Sequence, residues 1–397
     1  MGNGARLRPA LGRNVIALGV VSFFTDVSSE MIYPLLPIFL SSVLGASATA
    51  IGIVEGAAES TAAFLKLGSG WWSDRVRRRK PLVVAGYLIA AIARPLVALA
   101  QSAQHVLAIR VSDRVGKGIR TSPRDALIAD SVDASVRGRA YGFHRAADHA
   151  GAVVGPLLAF ALLRWAGVPM RTLFWLAAIP GAIAVIVLVA AVRDTPRVTA
   201  SAVSAPRDPE RMGGRFWAYL LVVVLFTLGN SSDAFLLLRA SQLGVPAAMV
   251  PVLWALLSVV KSVTSTPGGA LSDRFGRRPL IVSGWAMYAL VYLGFAGATQ
   301  HWHAWALFAL YGVFFGLTEG VEKALVADLV PVARRGAAFG WFNLAFGLAA
   351  LPASVIFGAI WDRWGAPTAF AFGAAMSLLA TAGIVLVAPP GRQARGG

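Results

Sequence analysis

Long apolar runs separated by short clusters of arginine dominate the chain between positions 14 and 388. A helix needs roughly 20 mostly apolar residues to cross the hydrocarbon core of a bilayer. By that measure the runs predict twelve spans: 14–40, 49–72, 81–101, 104–130, 139–163, 170–192, 215–239, 246–271, 279–299, 303–330, 337–361 and 366–388. The fourth and tenth are weak on hydropathy alone. They are kept because the charge clusters on either side need an even number of crossings to stay on one face.

Composition agrees with a membrane class. Apolar residues make up 57% of the chain, mean hydropathy is +0.67, and only 14% of residues are charged; soluble domains run nearer about 45–50% apolar. The net charge is +17. Such a balance often accompanies nucleic-acid binding, but here the charges sit between apolar runs, so the expected partner is the lipid bilayer and no nucleic acid. Arg75, Arg77, Arg78, Arg79 and Lys80 follow the second span, Arg137 and Arg139 the fourth, Arg274, Arg277 and Arg278 the eighth, and Arg334 and Arg335 the tenth. The opposite loops carry few, mainly Arg164, Arg171 and Arg363. The positive-inside rule then puts both termini in the cytoplasm, in a multi-pass protein of the cell (inner) membrane. The first apolar stretch is too long for a signal peptide and reads as a helix that stays in the membrane.

Residues 194–214 hold Pro196, Pro206, Pro209 and alternating charges. They read as a cytoplasmic linker between an N-terminal six-helix bundle (1–193) and a C-terminal one (215–397). The absence of cysteine excludes disulfides and thiolate metal sites. There is no metal-spaced histidine pair, phosphate loop or nucleophile motif, so neither an enzyme nor a bound cofactor is expected.

The halves repeat at a shift of about 198 residues. Gly70, Ser73, Asp74 and Arg75 are matched by Gly269, Ser272, Asp273 and Arg274; Pro81 is matched by Pro279. Ala126, Leu127, Ala129 and Asp130 are matched by Ala324, Leu325, Ala327 and Asp328. Repeats in the same orientation are related by an axis along the membrane normal. The segment from Gly68 to Lys80, with its copy at 268–278, resembles the loop signature of the major facilitator superfamily between helices two and three. The resemblance covers the whole chain. It implies twelve helices in two pseudo-symmetric bundles, a central cavity near the midplane lined by helices one, four, seven and ten, and alternating access by rocking. Val76 and Arg77 depart from the usual loop; Phe275 and Gly276 keep it. Asp74, Arg75, Arg78, Asp273 and Arg274 are candidates for a latch that locks one face, a two-state element of the kind rocking needs.

Intramembrane ionisable residues are functional candidates by default. The fourth span concentrates them. Arg110, Arg114, Lys117, Arg120 and Arg124 fall within roughly a third of the circumference at 100° per residue. Gly116, Gly118 and Pro123 are expected to weaken its regularity, as suits a cavity-lining segment. The tenth span carries Glu319, Glu322 and Lys323 in the matching place, so Arg124 aligns with Glu322, and Asp125 with Lys323. Two readings stay open: Arg124 pairs with Glu322 across the cavity, or Glu319 pairs with Lys323 at i,i+4. Asn230 and Asp233 form a smaller polar patch on the seventh span. Asp26, Glu30 and Asp148 are the proton-coupling candidates; the alternative is a static salt-bridge network that helps packing.

The function expected is secondary active transport of a small organic, or anionic, compound, since free guanidinium would hold carboxylate or phosphate bidentately. Gly151, Gly155 and Pro156 resemble the fifth-helix core of superfamily antiporters, which points to proton-coupled efflux. The bland reading is a tight helix contact. A proton-coupled uptake symporter, and a non-transporting solute sensor or lipid scramblase on the same scaffold, are the alternatives. The chain is expected to act as a monomer.

Overall fold

In a computed structural model of the 397-residue chain, residues 12–73, 78–132, 137–194, 212–331 and 334–388 are described. They are almost wholly helical: α1 Arg13–Val43, α2 Ala48–Ser73, α3 Lys80–Leu99, α4 Ala103–Asp130, α5 Arg137–Arg164, α6 Met170–Ala191, α7 Gly214–Gln242, α8 Ala247–Phe275, α9 Arg277–Gly297, α10 His301–Asp328, α11 Arg335–Trp364 and α12 Ala366–Val387. Ten of these are long and apolar enough to cross a membrane, and the protein is a multi-pass membrane protein. The tenth expected span is among the ten, at a mean hydropathy of 1.4. The two that fall short are α2 and α4, because both carry charged side chains at mid-length.

Packing follows the repeat. α1 packs on α5 and α6, α2 on α4, and α3 on α4; α7 packs on α11 and α12, α8 on α10, and α9 on α10 and α12. Contacts between the two sets are concentrated in α2 against α11 and α5 against α8. Small residues set these distances. A Cβ on Gly86 of α3 would lie 2.5 Å from the Gly116 carbonyl oxygen, and one on Gly268 of α8 would lie 2.0 Å from that of Gly316. Gly116 and Gly118 therefore mark where neighbours press closest. They do not break α4, which runs unbroken through Pro123, contrary to the expected irregularity. The first proline-rich stretch does loosen its helix: at Pro34 and Pro37 the chain of α1 passes through short tighter and wider turns before Val43.

Side-chain bonds fix which ends share a face. Asn14 donates to Ser131 and to the Arg193 carbonyl, joining the start of α1 to the ends of α4 and α6. On the opposite face, Arg171 holds the carbonyls of Ala98 and Ala100 at the end of α3. Arg239 holds those of Phe295 and Ala298 at the end of α9 in the same way. There the halves also meet: the Asp362 carboxylate accepts from the N–H groups of Ala48 and Thr49. The seam continues inward through Gly52 against Ser354 and Gly56 against Leu351, to Ser60, whose hydroxyl donates to the Gly347 carbonyl at 2.6 Å.

Candidate functional site

The contacts of the α2–α11 seam surround one side of a central cavity of about 600 Å³. Its wall is densely charged for a membrane protein, with seven basic and six acidic side chains. Charge buried away from water must be paired or serve a function, so each charge needs a partner assigned.

Two of the five α4 cations are neutralised by acids of α2. Arg110 grips Glu55 of α2 with two hydrogen bonds, Nε to Oε1 at 3.1 Å and Nη2 to Oε2 at 2.7 Å. Arg114 pairs with Glu59 of α2 at 2.9 Å. Asp113 turns the other way, taking Arg94 of α3 at 2.8 Å; Arg94 also donates to the Thr25 carbonyl of α1. Asp113 Oδ2 lies 3.8 Å from Arg110 and 3.9 Å from Arg114, which links the pairs. The basic stripe is thus a lattice holding α1, α2, α3 and α4 together. Arg94 was missed in the sequence, although a lone arginine inside the apolar third span carries the same signal as those of α4.

Lys117 and Arg120 are different. Neither has a hydrogen-bond or ion-pair partner among the described residues. Arg120 is 4% exposed, its Nε and Nη1 buried without acceptors, and its guanidinium lies 4.3 Å from the Tyr87 ring centre. Lys66 of α2 joins them in the wall.

Acids stand on other walls. Asp26 has no cation within ion-pair distance among the described residues, and Glu30 accepts from the Trp254 indole of α8 at 2.6 Å. Trp254 also meets Tyr33, ring centres 5.1 Å apart, so α1 and α8 close over the cavity with an aromatic pair. Asp233 accepts from the Tyr311 hydroxyl at 2.7 Å. Asn230 lines the same wall, within 3.3 Å of the Tyr288 hydroxyl.

Several expected members lie elsewhere. Arg124 bonds Asp125, its own neighbour, at 2.8 and 3.0 Å. Glu322 is not in the cavity wall; its carboxylate accepts from the Trp285 indole at 2.7 Å, and the residue is only 7% exposed. The expected Arg124–Glu322 bridge is therefore not formed, because the aligned positions face different neighbours. Glu319 pairs with Lys323 at 3.3 Å, the i,i+4 alternative, and with Lys261 of α8 at 3.0 Å. Asp148 accepts from Ser22 and lies 3.5 Å from His144, outside the cavity wall, in the contact of α5 with α1. There Gly151 and Gly155 press on α1: their Cβ atoms would meet the Phe23 and Val27 carbonyls at 2.5 and 2.8 Å.

Of the latch candidates, Asp74 and Arg75 lie outside the described residues. Arg78 is exposed, and Arg274 rests over the Phe275 ring at 5.2 Å. Asp273 pairs with Arg277 at 2.5 Å, and Arg277 also reaches Asp328 at 3.2 Å. In the first half Arg79 pairs with Asp130. Each arginine stands two places before the matched proline, and each aspartate ends the matched alanine-leucine segment. The loop and the end of α4 or α10 are thus tied alike in both halves.

The family model described as Major Facilitator Superfamily matches residues 18–260 and 220–396. The chain is 34% identical over 375 residues to an uncharacterized MFS-type transporter of Methanocaldococcus jannaschii, covering 93% of each chain. It is 32% identical to the multidrug resistance protein MdtH of Klebsiella pneumoniae over 123 residues only, 31% of this chain and 29% of that one. Among solved structures, an inward-facing, occupied bacterial homolog of the human lysosomal transporter Spinster superposes with a TM-score of 0.76 at 17% identity, covering 94% of this chain and 96% of that one. A D-xylose-proton symporter gives 0.77 at 18%, covering 95% and 97%.

Proposed function

This chain belongs to the major facilitator superfamily, and on that premise we propose that it carries a small organic solute across the membrane by alternating access, exporting it in exchange for protons. On this reading all twelve helices cross the bilayer, in two six-helix bundles (1–193 and 215–397) joined by the 194–214 linker, with both termini cytoplasmic in the inner membrane and the protein acting as a monomer. The observation that carries it is the charged cavity between the halves, closed on the face away from the termini by the α2–α11 seam and the Tyr33–Trp254 pair. The structure then represents the cytoplasm-facing state, and rocking opens the seam.

Asp26 and Glu30 are the residues we assign to proton exchange, since both line the cavity without a cationic partner among the described residues. Asp148 serves the α1–α5 contact. The arginine–aspartate ties of the terminal face, Arg79 with Asp130 and Arg277 with Asp273 and Asp328, steady the loops that must re-form when that face closes. Export is supported by the partial match to a multidrug resistance protein and by the glycine-rich α5.

Reconstituted inside-out in proteoliposomes, the protein should concentrate at least one solute of a metabolite and drug panel when the lumen is acidic, and lose that accumulation when the gradient is collapsed. Transport that ignores the pH gradient for every solute carried would remove proton coupling.

A further inference from the structure

The cavity's charges can be cancelled pair by pair, and what is left over describes a ligand. Glu55, Glu59 and Asp113 neutralise Arg110, Arg114 and Arg94. Glu319 neutralises Lys261. On the first-half wall this leaves Lys66 of α2, Lys117 and Arg120 side by side one turn apart on α4, and the two acids of α1 assigned above to proton exchange, Asp26 and Glu30; Arg120 keeps two buried nitrogens with no acceptor among the described residues. On the wall of the other half it leaves Asp233, whose carboxylate is met among the described residues by the neutral Tyr311 hydroxyl.

A buried donor without an acceptor, or a buried charge without its opposite, is costly. A purely anionic solute would satisfy α4 and leave Asp233 unmatched; a cation would do the reverse. One molecule carrying both charges satisfies both walls and touches both halves at once, which is what lets a solute bias a rocking equilibrium. The planar fork of Arg120 suits a carboxylate, with Lys117 as a point charge beside it.

Resting on the transport reading above, we infer that the solute is a zwitterionic amino acid-like compound, its carboxylate received by Arg120 and Lys117 of α4 and its ammonium by Asp233 of α7.

The test uses the full chain, purified in detergent, and binding read by thermal stabilisation and calorimetry. The probes are matched triplets: an amino acid, its N-acetyl derivative, which keeps only the negative charge, and its methyl ester, which keeps only the positive one. For at least one triplet the amino acid should bind about tenfold or more tighter than either derivative. Asp233→Asn should erase the preference over the N-acetyl form, and Asp233→Glu should restore part of it. Arg120→Gln should erase the preference over the ester. Unliganded melting and gel-filtration profiles show that each variant is folded. A panel with no preferred amino acid, or variants that leave both preferences intact, would overturn the inference. The two readings part cleanly in proteoliposomes. A carried solute with a single charge sinks the zwitterion and keeps transport. A bound zwitterion that is never carried, with no other solute carried either, sinks transport and keeps the site.

Discussion

Asp362 accepts two hydrogen bonds from Thr49, one from its N–H at 2.8 Å and one from its hydroxyl at 2.6 Å, across the seam between the halves. A third comes from Ala48 N–H at 2.8 Å. The carboxylate thereby caps the first turn of α2, a helix that is not its own, where free N–H groups and the positive end of the helix dipole favour an anion. A capping side chain contributes about 0.5–2 kcal/mol. Asp362→Ala should move the balance toward the state open on that face by about two- to thirty-fold. The chain has no cysteine, so spin labels at Ser47→Cys and Arg363→Cys report the opening directly. An unchanged distance distribution would mean the cap does not hold the seam.

The Arg110–Glu55 pair is bidentate and almost fully buried. Removing one partner strands the other. Glu55→Ala should lower stability by about 3–5 kcal/mol, while replacing both partners by leucine should recover most of that loss. Melting curves of the three variants in one detergent decide it, the double variant lying above the single one.

Arg124 and Glu322 offer the opposite expectation. Their charges are opposite and their positions correspond in the repeat, yet each has its own partner, Asp125 and Trp285. Exchanging them, Arg124→Glu with Glu322→Arg, should give no more transport than the weaker single variant, because the double variant buries an arginine against an indole donor. Recovered transport would show that the pair does meet in another state.

Glycine contacts predict a sharp contrast within one bundle. A Cβ on Gly268 would lie 2.0 Å from the backbone oxygen of Gly316, which cannot swing aside. Gly268→Val should destabilise by about 1–3 kcal/mol or more through overpacking. Gly320 has open space around it, and Gly320→Ala should be neutral or stabilising by up to about 1 kcal/mol. Thermal unfolding of the two variants side by side checks the ranking.

The helices were legible because apolar length is read directly from the residues, and the observed bounds lie within a few residues of those expected. The repeat was legible for the same reason. Partners were not. Asp362 reads in the sequence as one more charge near a helix end, and only the fold brings it to Thr49, 313 positions away. Trp254 reads as apolar filling until Glu30 is placed beside its indole. The α4 stripe shows the limit best: helical periodicity puts five cations on one face, but which of them stay unmatched depends on acids and rings supplied by α2, α3 and α1. Aligning the halves misled for Glu322, since a repeated backbone position does not carry a repeated neighbour.

The ion pairs along α4 also bear on what can move. Glu55, Glu59 and Arg94 fasten α2 and α3 to α4 at mid-depth, and Arg79 ties the start of α3 to the last residue of α4. Such a group behaves as a welded plate: sliding any one helix past the others would break several buried bonds together. The seams against the other half hold mostly by small residues and a few hydrogen bonds, which part more cheaply. The cavity-lining cations of α4 and the tie at its far end are therefore expected to move as one lever, carrying a displacement at Arg120 on to Asp130.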